Sequence, residues 1–269
     1  MNSPLPEPAL ATAIAAAADA PAVLEALGLS YAHGAAGPVF SHLSLSIRRR
    51  EIVALLGGSG CGKSTLLRVL AGLARPATGE VRFLDTVQAA PHPRSALVFQ
   101  QASLLPWLNL ADNVGFGLDF AHQPQTGKAA RDERIQAAIA AVGLAGREGA
   151  YPAQLSGGMA QRTALARALA RQPELLFADE PFSALDAITR AEMQSLLVDV
   201  VHRWHTAALL VTHDIDEAIL VADRIVLMGG RPGRLLHEWT VDIPRNREDH
   251  PEAVGALRLA ILGALRHAS

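Results

Sequence analysis

The stretch Gly57-Gly58-Ser59-Gly60-Cys61-Gly62-Lys63-Ser64-Thr65 constrains this chain more than any other. Its spacing is G-x-x-x-x-G-K-[ST], with Gly57 first and Gly62-Lys63-Ser64 closing. The apolar run Ile52-Val53-Ala54-Leu55-Leu56 before it reads as a buried strand, and Thr65 to Ala71 after it reads as an apolar helix. Glycines at 57, 58, 60 and 62 allow backbone dihedrals and close approaches that a β-carbon forbids. A helix starting near Gly62 turns its partial positive charge toward whatever the loop wraps. Such a loop is a P-loop, built to cradle a triphosphate in backbone amides, with Lys63 on the β/γ-phosphates and the Ser64 hydroxyl on Mg²⁺. A glycine-rich turn with a chance Lys-Ser does not account for both flanks.

The 269 residues suit one large domain carrying an inserted subdomain, and half of them are apolar, enough for a sizeable core without disulfides. Cys61 is the single cysteine, which excludes an internal disulfide and fits a reducing compartment. A formal net charge of −2 with scattered basic residues argues against a nucleic-acid surface. Arg48-Arg49-Arg50, the densest basic cluster, reads as a solvated turn. No segment has the ~18 apolar residues of a membrane span. Residues 9 to 29 are Ala-rich but broken by Asp19, Pro21 and Glu25, and Met1 to Pro8 lacks the basic start of a signal peptide. The expectation is a poorly ordered leader over 1–20 on a soluble, cytosolic protein, so that any membrane role needs a separate partner.

In order along the chain, Val23 to Ser30 and Val39 to Ile47 read as strands, with Tyr31-Ala32-His33-Gly34 as the turn between them. A further strand is expected at Glu80 to Leu84, and a short buried one at Ser95 to Phe99 ends at Gln100-Gln101. From about Ala102 to Leu155 the pattern is helical, with Arg131 to Val142 amphipathic and Gly143 as its stop. Ser156 caps a helix to about Arg171, and Leu175 to Ala178 is a strand that delivers Asp179-Glu180. Asp186 caps a long helix, Ala207 to Val211 ends at Thr212-His213, and another helix leads to a strand at Arg224 to Met228. A tail rich in Arg and Pro closes the chain.

Three strand ends thus converge, because ligands of an open parallel sheet bind beyond the carboxyl ends of its strands. Asp179, closing an apolar run, suits a Mg²⁺ ligand, and Glu180 can take a proton from water attacking the γ-phosphate. Ser156-Gly157-Gly158 at a helix start is a second anion site made of a hydroxyl, free amides and a helix dipole. A single chain has no second triphosphate to offer it.

Leu155-Ser156-Gly157-Gly158-Met159-Ala160-Gln161-Arg162 closely resembles the signature of ATP-binding-cassette ATPases. The resemblance implies that two copies face head to tail, each signature covering the γ-phosphate held by the other's P-loop. It implies an α/β fold of the P-loop NTPase (RecA-like) class: a parallel-sheet core, an antiparallel β edge and an inserted α-helical subdomain. Within it Gln100 corresponds to the glutamine that senses Mg²⁺ and the attacking water, and Ser183-Ala184-Leu185-Asp186 to the loop lining the dimer seam. His213 corresponds to the switch histidine on the γ-phosphate, and Tyr31 to the aromatic that stacks on adenine. Met159 replaces the most familiar glutamine of the signature. The resemblance runs from about Leu24 to Arg247, giving a single ATPase domain over 21–250, a helical subdomain over about 101–165 and a short helical tail over 251–269.

Leu104-Leu105-Pro106-Trp107, Thr212 to Ala218, Arg231-Pro232-Gly233-Arg234 and Ile243-Pro244-Arg245 are similar to bacterial importers of the nitrate, taurine and aliphatic-sulfonate group. That implies ATP and Mg²⁺ as cofactors, a transmembrane permease dimer docked near Gln100 to Trp107, and indirectly a periplasmic solute-binding protein. It also implies a peripheral position on the cytoplasmic face of the inner membrane, with aliphatic sulfonate preferred as solute over taurine or nitrate. A soluble cassette protein acting on ribosomes or DNA would carry paired cassettes or a long coiled-coil insertion, and neither is present. A GTPase would carry Asn-Lys-x-Asp, which is absent, and a small-molecule kinase leaves the signature unexplained. Cys61, beside a helix start and Lys63, is expected as a reactive thiolate in the phosphate cradle. The alternative is a small inert residue packed behind the loop.

Overall fold

A computed structural model describes residues 21–34, 37–120, 123–124 and 127–267. The expected leader over 1–20 lies outside them. The core is a six-stranded sheet of order β10-β9-β3-β8-β7-β6. Its strands are β3 (Ile52–Leu56), β6 (Ser95–Val98), β7 (Leu175–Asp179), β8 (Ala207–Thr212), β9 (Arg224–Gly229) and β10 (Arg234–Thr240). All neighbouring pairs are parallel except β9 with β10. Both faces of its five parallel strands are covered, so these read as apolar runs rather than alternating ones. Ile52, Ala54 and Leu56 point into a helical layer, whereas Val53 and Leu55 point the other way.

That other face is roofed by α1 (Lys63–Leu70) and by a second, antiparallel sheet of order β2-β1-β4-β5. Its strands are β1 (Ala22–Ala32), β2 (Pro38–Arg48), β4 (Thr78–Phe83) and β5 (Thr86–Val87). The helices α2 (Leu110–Gly115), α3 (Lys128–Ala141) and α4 (Gly157–Leu169) lie between β6 and β7 in the chain. They are followed by α5 (Ala187–Trp204), α6 (Ile215–Val221) and α7 (Pro251–His267). Helix α3 stops as expected. Val142 caps it and Gly143, at φ +69°, takes the left-handed position that lets its N–H reach Ala140 O.

Two elements differ from the sequence reading. Tyr31 is not in a turn: β1 runs on to Ala32, with Tyr31 opposite Phe40 of β2. The segment after β9, read only as an Arg- and Pro-rich tail, contains β10, paired antiparallel to β9 from Gly229–Arg234 to Arg224–Thr240. Its side chains are mostly exposed, so it carries little of the apolar signal that betrays a strand. Arg224 then joins the two sheets. Buried at the start of β9, it donates Nε to Glu51 Oε1 at 2.7 Å and Nη2 to Glu51 Oε2 at 3.1 Å, and also reaches Ser46 O on β2. Arg49 and Arg50 do form an exposed turn, with Arg49 paired to Glu174 at 2.7 Å.

Candidate nucleotide site

The Gly57–Thr65 loop leaves β3 and enters α1, with Gly62 in the N-cap position at φ +102°. Two glycines are forced by neighbours. A β-carbon on Gly57 would overlap the Met228 carbonyl at the end of β9, and one on Gly62 would lie 2.9 Å from Val39 Cγ1. Gly58, Ser59 and Gly60 stand exposed at the crest. Lys63, only 6 % exposed, folds back across the loop and donates Nζ to Gly57 O at 2.8 Å and Gly58 O at 2.9 Å. Its ammonium is thereby held against the loop that the spacing assigns to phosphates. Thr65 follows half-buried in α1.

Strand β7 ends beside this loop. Ser64 Oγ donates to Asp179 Oδ1 at 2.9 Å, so the two predicted metal-binding oxygens touch. Burial pushes the Asp179 carboxyl above its ordinary value, while the Ser64 hydrogen bond and the Arg68 and Lys63 charges work the other way. Glu180 departs from the strand at φ +47°, a left-handed conformation costly for a residue with a side chain. Its backbone is held on both sides: its N–H donates to Val211 O at 2.9 Å, and its carbonyl accepts Ser183 Oγ at 2.9 Å. The turn brings Glu180 Oε1 to 3.2 Å from His213 Nδ1 at the end of β8. Three adjacent strands therefore present Ser64, Asp179, Glu180 and His213 as one cluster.

Ser156 caps α4 as the sequence predicts, its Oγ accepting the Met159 N–H at 3.2 Å. Gly157 opens onto free space, whereas a β-carbon on Gly158 would overlap Thr189 Cγ2 of α5. Thr189 is itself held by Asp186, which accepts from its N–H at 3.1 Å and its Oγ1 at 2.8 Å. The signature and the Asp186 loop are thus one packed unit. Gln100 stands exposed past β6, and among the described residues no hydrogen bond ties it to Ser64 or Asp179. Tyr31 is half-buried and stacks on Phe40, with ring centroids 5.9 Å apart, next to the Val39 that abuts Gly62.

The expected reactive thiol at Cys61 is corrected. Cys61 is buried within the apolar cluster under the antiparallel sheet, and its Sγ packs 3.1 Å from where a β-carbon on Gly57 would sit. The loop curls so that this side chain points behind it; any part in binding falls to the Cys61 backbone. Sequence reasoning also missed Glu217, buried in α6, and Asn113, buried in α2. A carboxyl in the first turn of a helix reads as a solvated charge, and an asparagine mid-segment as a loop residue. Nothing local marks either as interior.

The fold and this cluster define a P-loop nucleotide-binding ATPase domain. Residues 40–183 match the family described as ABC transporter. A relative from Nocardia farcinica, an aliphatic sulfonates import ATP-binding protein (SsuB 2), is 50 % identical over 230 residues, covering 84 % of this chain and 88 % of the relative. One of the same description from Burkholderia cenocepacia is 45 % identical over 228 residues, covering 85 % and 82 %. Among solved structures, cbiO1 from Clostridium perfringens, described as part of the ABC transporter complex cbiONQ, aligns with a TM-score of 0.75 at 25 % identity, over 91 % of this chain and 99 % of that one. The dimeric ATP-binding cassette MJ0796 with ADP and Pi aligns with a TM-score of 0.69 at 28 % identity, over 81 % and 98 %. The chain belongs to the ABC transporter family.

Proposed function

We propose that this chain is the ATP-hydrolysing subunit of a bacterial importer for aliphatic sulfonates, acting as a head-to-tail dimer on the cytoplasmic face of the inner membrane. The observation that carries the reading is the convergence of Ser64, Asp179, Glu180 and His213 at the ends of β3, β7 and β8. The loop amides and Lys63 hold the phosphates of ATP. Ser64 and Asp179, both hard oxygen donors, suit Mg²⁺, and Gln100 is assigned as a third donor to it. Bound there, Mg²⁺ would supply neutralising charge to the β- and γ-phosphates. Glu180 takes a proton from the attacking water, and His213, 3.2 Å away, steadies that carboxylate and reaches the γ-phosphate.

Ser156, Gly157, Gly158 and Asp186 are assigned to the γ-phosphate held by the second copy, and Tyr31 to the adenine. Closure of the dimer on ATP would be passed to a permease dimer through the loop from Gln100 to Trp107, with a periplasmic binding protein delivering the solute. No described helix is long and apolar enough to cross a membrane, and the reading assigns the transport path to the permease. The sulfonate assignment rests on relatives of that description at 45–50 % identity. Reconstitution with the permease and binding protein from the neighbouring genes tests it. ATP-dependent uptake of a labelled alkanesulfonate, outcompeting taurine and nitrate, is expected. Uptake of taurine or nitrate in preference would overturn the solute, and no ATP hydrolysis at all would overturn the site.

A further inference from the structure

The run Arg231-Pro232-Gly233-Arg234 forms the hairpin between β9 and β10, and that hairpin is built against the phosphate loop at three points. At its base, the Met228 carbonyl fills the space beside Gly57. In its middle, a β-carbon on Gly233 would overlap Cys61 O, while Gly233 N donates to Val39 O at 2.8 Å and its carbonyl accepts from Ser41 N at 3.2 Å. At its tip, Arg231 Nη2 lies 3.5 Å from the position of a β-carbon on Gly60. Because Gly57 and Gly233 permit backbone-to-backbone approach, the hairpin is seated on the loop itself rather than on intervening side chains.

The guanidinium at the tip is uncommitted. Arg224, Arg245 and Arg247, in the same C-terminal part of the chain, all donate to protein acceptors. Arg231 is exposed and, among the described residues, makes no hydrogen bond or ion pair. It is therefore a cation with free N–H donors, carried on an anchored hairpin backbone beside the crest of a loop whose own ammonium, Lys63, is folded against Gly57 and Gly58. Guanidinium presents a planar fork that matches paired phosphate oxygens, which a lysine cannot do.

We propose that Arg231 is a second cation of the nucleotide site, its guanidinium donating across Gly60 to the phosphate chain of the bound nucleoside di- or triphosphate. This rests on the nucleotide-binding reading above. The contact is partly solvated, so its removal should cost about tenfold in affinity, toward the low end for a charged hydrogen bond.

The test is calorimetric titration of ADP and ATP into the wild-type chain, Arg231→Ala, Arg231→Lys and, as a hairpin control, Arg234→Ala. Pyrophosphate displacement of a fluorescent ADP is measured alongside. Arg231→Ala should bind ADP, ATP and pyrophosphate about tenfold more weakly, with Arg231→Lys recovering part of the loss. Arg234→Ala should match wild type, and nucleotide-free melting temperatures should coincide. Wild-type affinity in Arg231→Ala would overturn the assignment. So would a loss confined to ADP with pyrophosphate unaffected, since that puts the contact on the nucleoside. A lower nucleotide-free melting temperature shared by both Arg231 variants would overturn it in favour of hairpin packing. Failure of the wild-type chain to bind any nucleotide would instead bring down the site reading on which it stands.

Discussion

Gln161 Nε2 donates to the Phe99 carbonyl at 2.9 Å, one bond joining the helix that starts at Ser156 to the strand end just before Gln100. Gln161 is buried, so this amide is a fixed link between the surface assigned to the second copy's nucleotide and the loop assigned to the permease. Gln161→Leu keeps the apolar stem but strands the carbonyl, at a cost of about 1–3 kcal/mol in stability. Nucleotide affinity of the isolated subunit should stay within about twofold, because the phosphate loop is untouched, while permease stimulation of hydrolysis is lost. Calorimetric melting and the stimulation ratio read the two effects apart. Full stimulation in a destabilised variant would leave Gln161 a packing residue only.

Trp107 is 70 % exposed and so lies outside the core, whereas Leu104 and Leu105 of the same run are half-buried. The loop beneath it is nonetheless rigid. Asn113, fully buried, accepts from Leu105 N at 2.8 Å and donates Nδ2 to the carbonyls of Leu105, Leu108 and Asn109 at 2.9–3.1 Å. Trp107→Ala should change stability by no more than about 0.5 kcal/mol, leave the subunit's ATPase intact and uncouple transport in vesicles. Asn113→Ala should instead lower the melting temperature, since it strands buried backbone groups. Equal loss of ATPase and transport in Trp107→Ala would count against permease docking.

Glu180 owes its position to a strained backbone, and the side chain it aims is asked only to handle a proton. Glu180→Gln should keep ATP affinity and lose about 10²–10⁴-fold in turnover. With hydrolysis blocked, the closed dimer should accumulate as a doubled mass in light scattering on ATP addition. Turnover at the wild-type rate would remove Glu180 as the base.

The strands that lead into the Lys63 loop, Asp179 and His213 were legible because buried parallel strands are unbroken apolar runs that end abruptly in glycine or polar residues. The caps at Ser156 and Asp186 were legible because capping is local chemistry. Strand β10 was not, since an exposed edge strand such as Arg234–Thr240 lacks an apolar face. The direction of Cys61 was not either: one residue of loop dihedral decides whether a side chain faces the cradle or the core behind it. The Arg224–Glu51 pair spans 173 positions, and no local pattern announces a partner that far away.

Glu217, in the first turn of α6, is only 5 % exposed, and its Oε1 finds no hydrogen-bond partner among the described residues. Burial pushes its carboxyl up to about 7, with the Asp214 charge adding to the rise while the Thr212 hydroxyl, Arg190 and His213 oppose it. The folded chain therefore holds this proton more tightly than the unfolded chain does. The resulting stability is fully present below the ordinary carboxylate value and is lost as pH climbs through about 7. Glu217→Gln keeps the neutral shape at every pH. It should melt close to wild type at pH ~5 and above it at pH ~8.5, the gap growing by something on the order of 2 kcal/mol. Taking the difference between the two proteins cancels the titration of groups that do not face Glu217. Melting curves collected across that range check it, and a gap that stayed constant with pH would mean that Glu217 is ionised in the folded protein throughout.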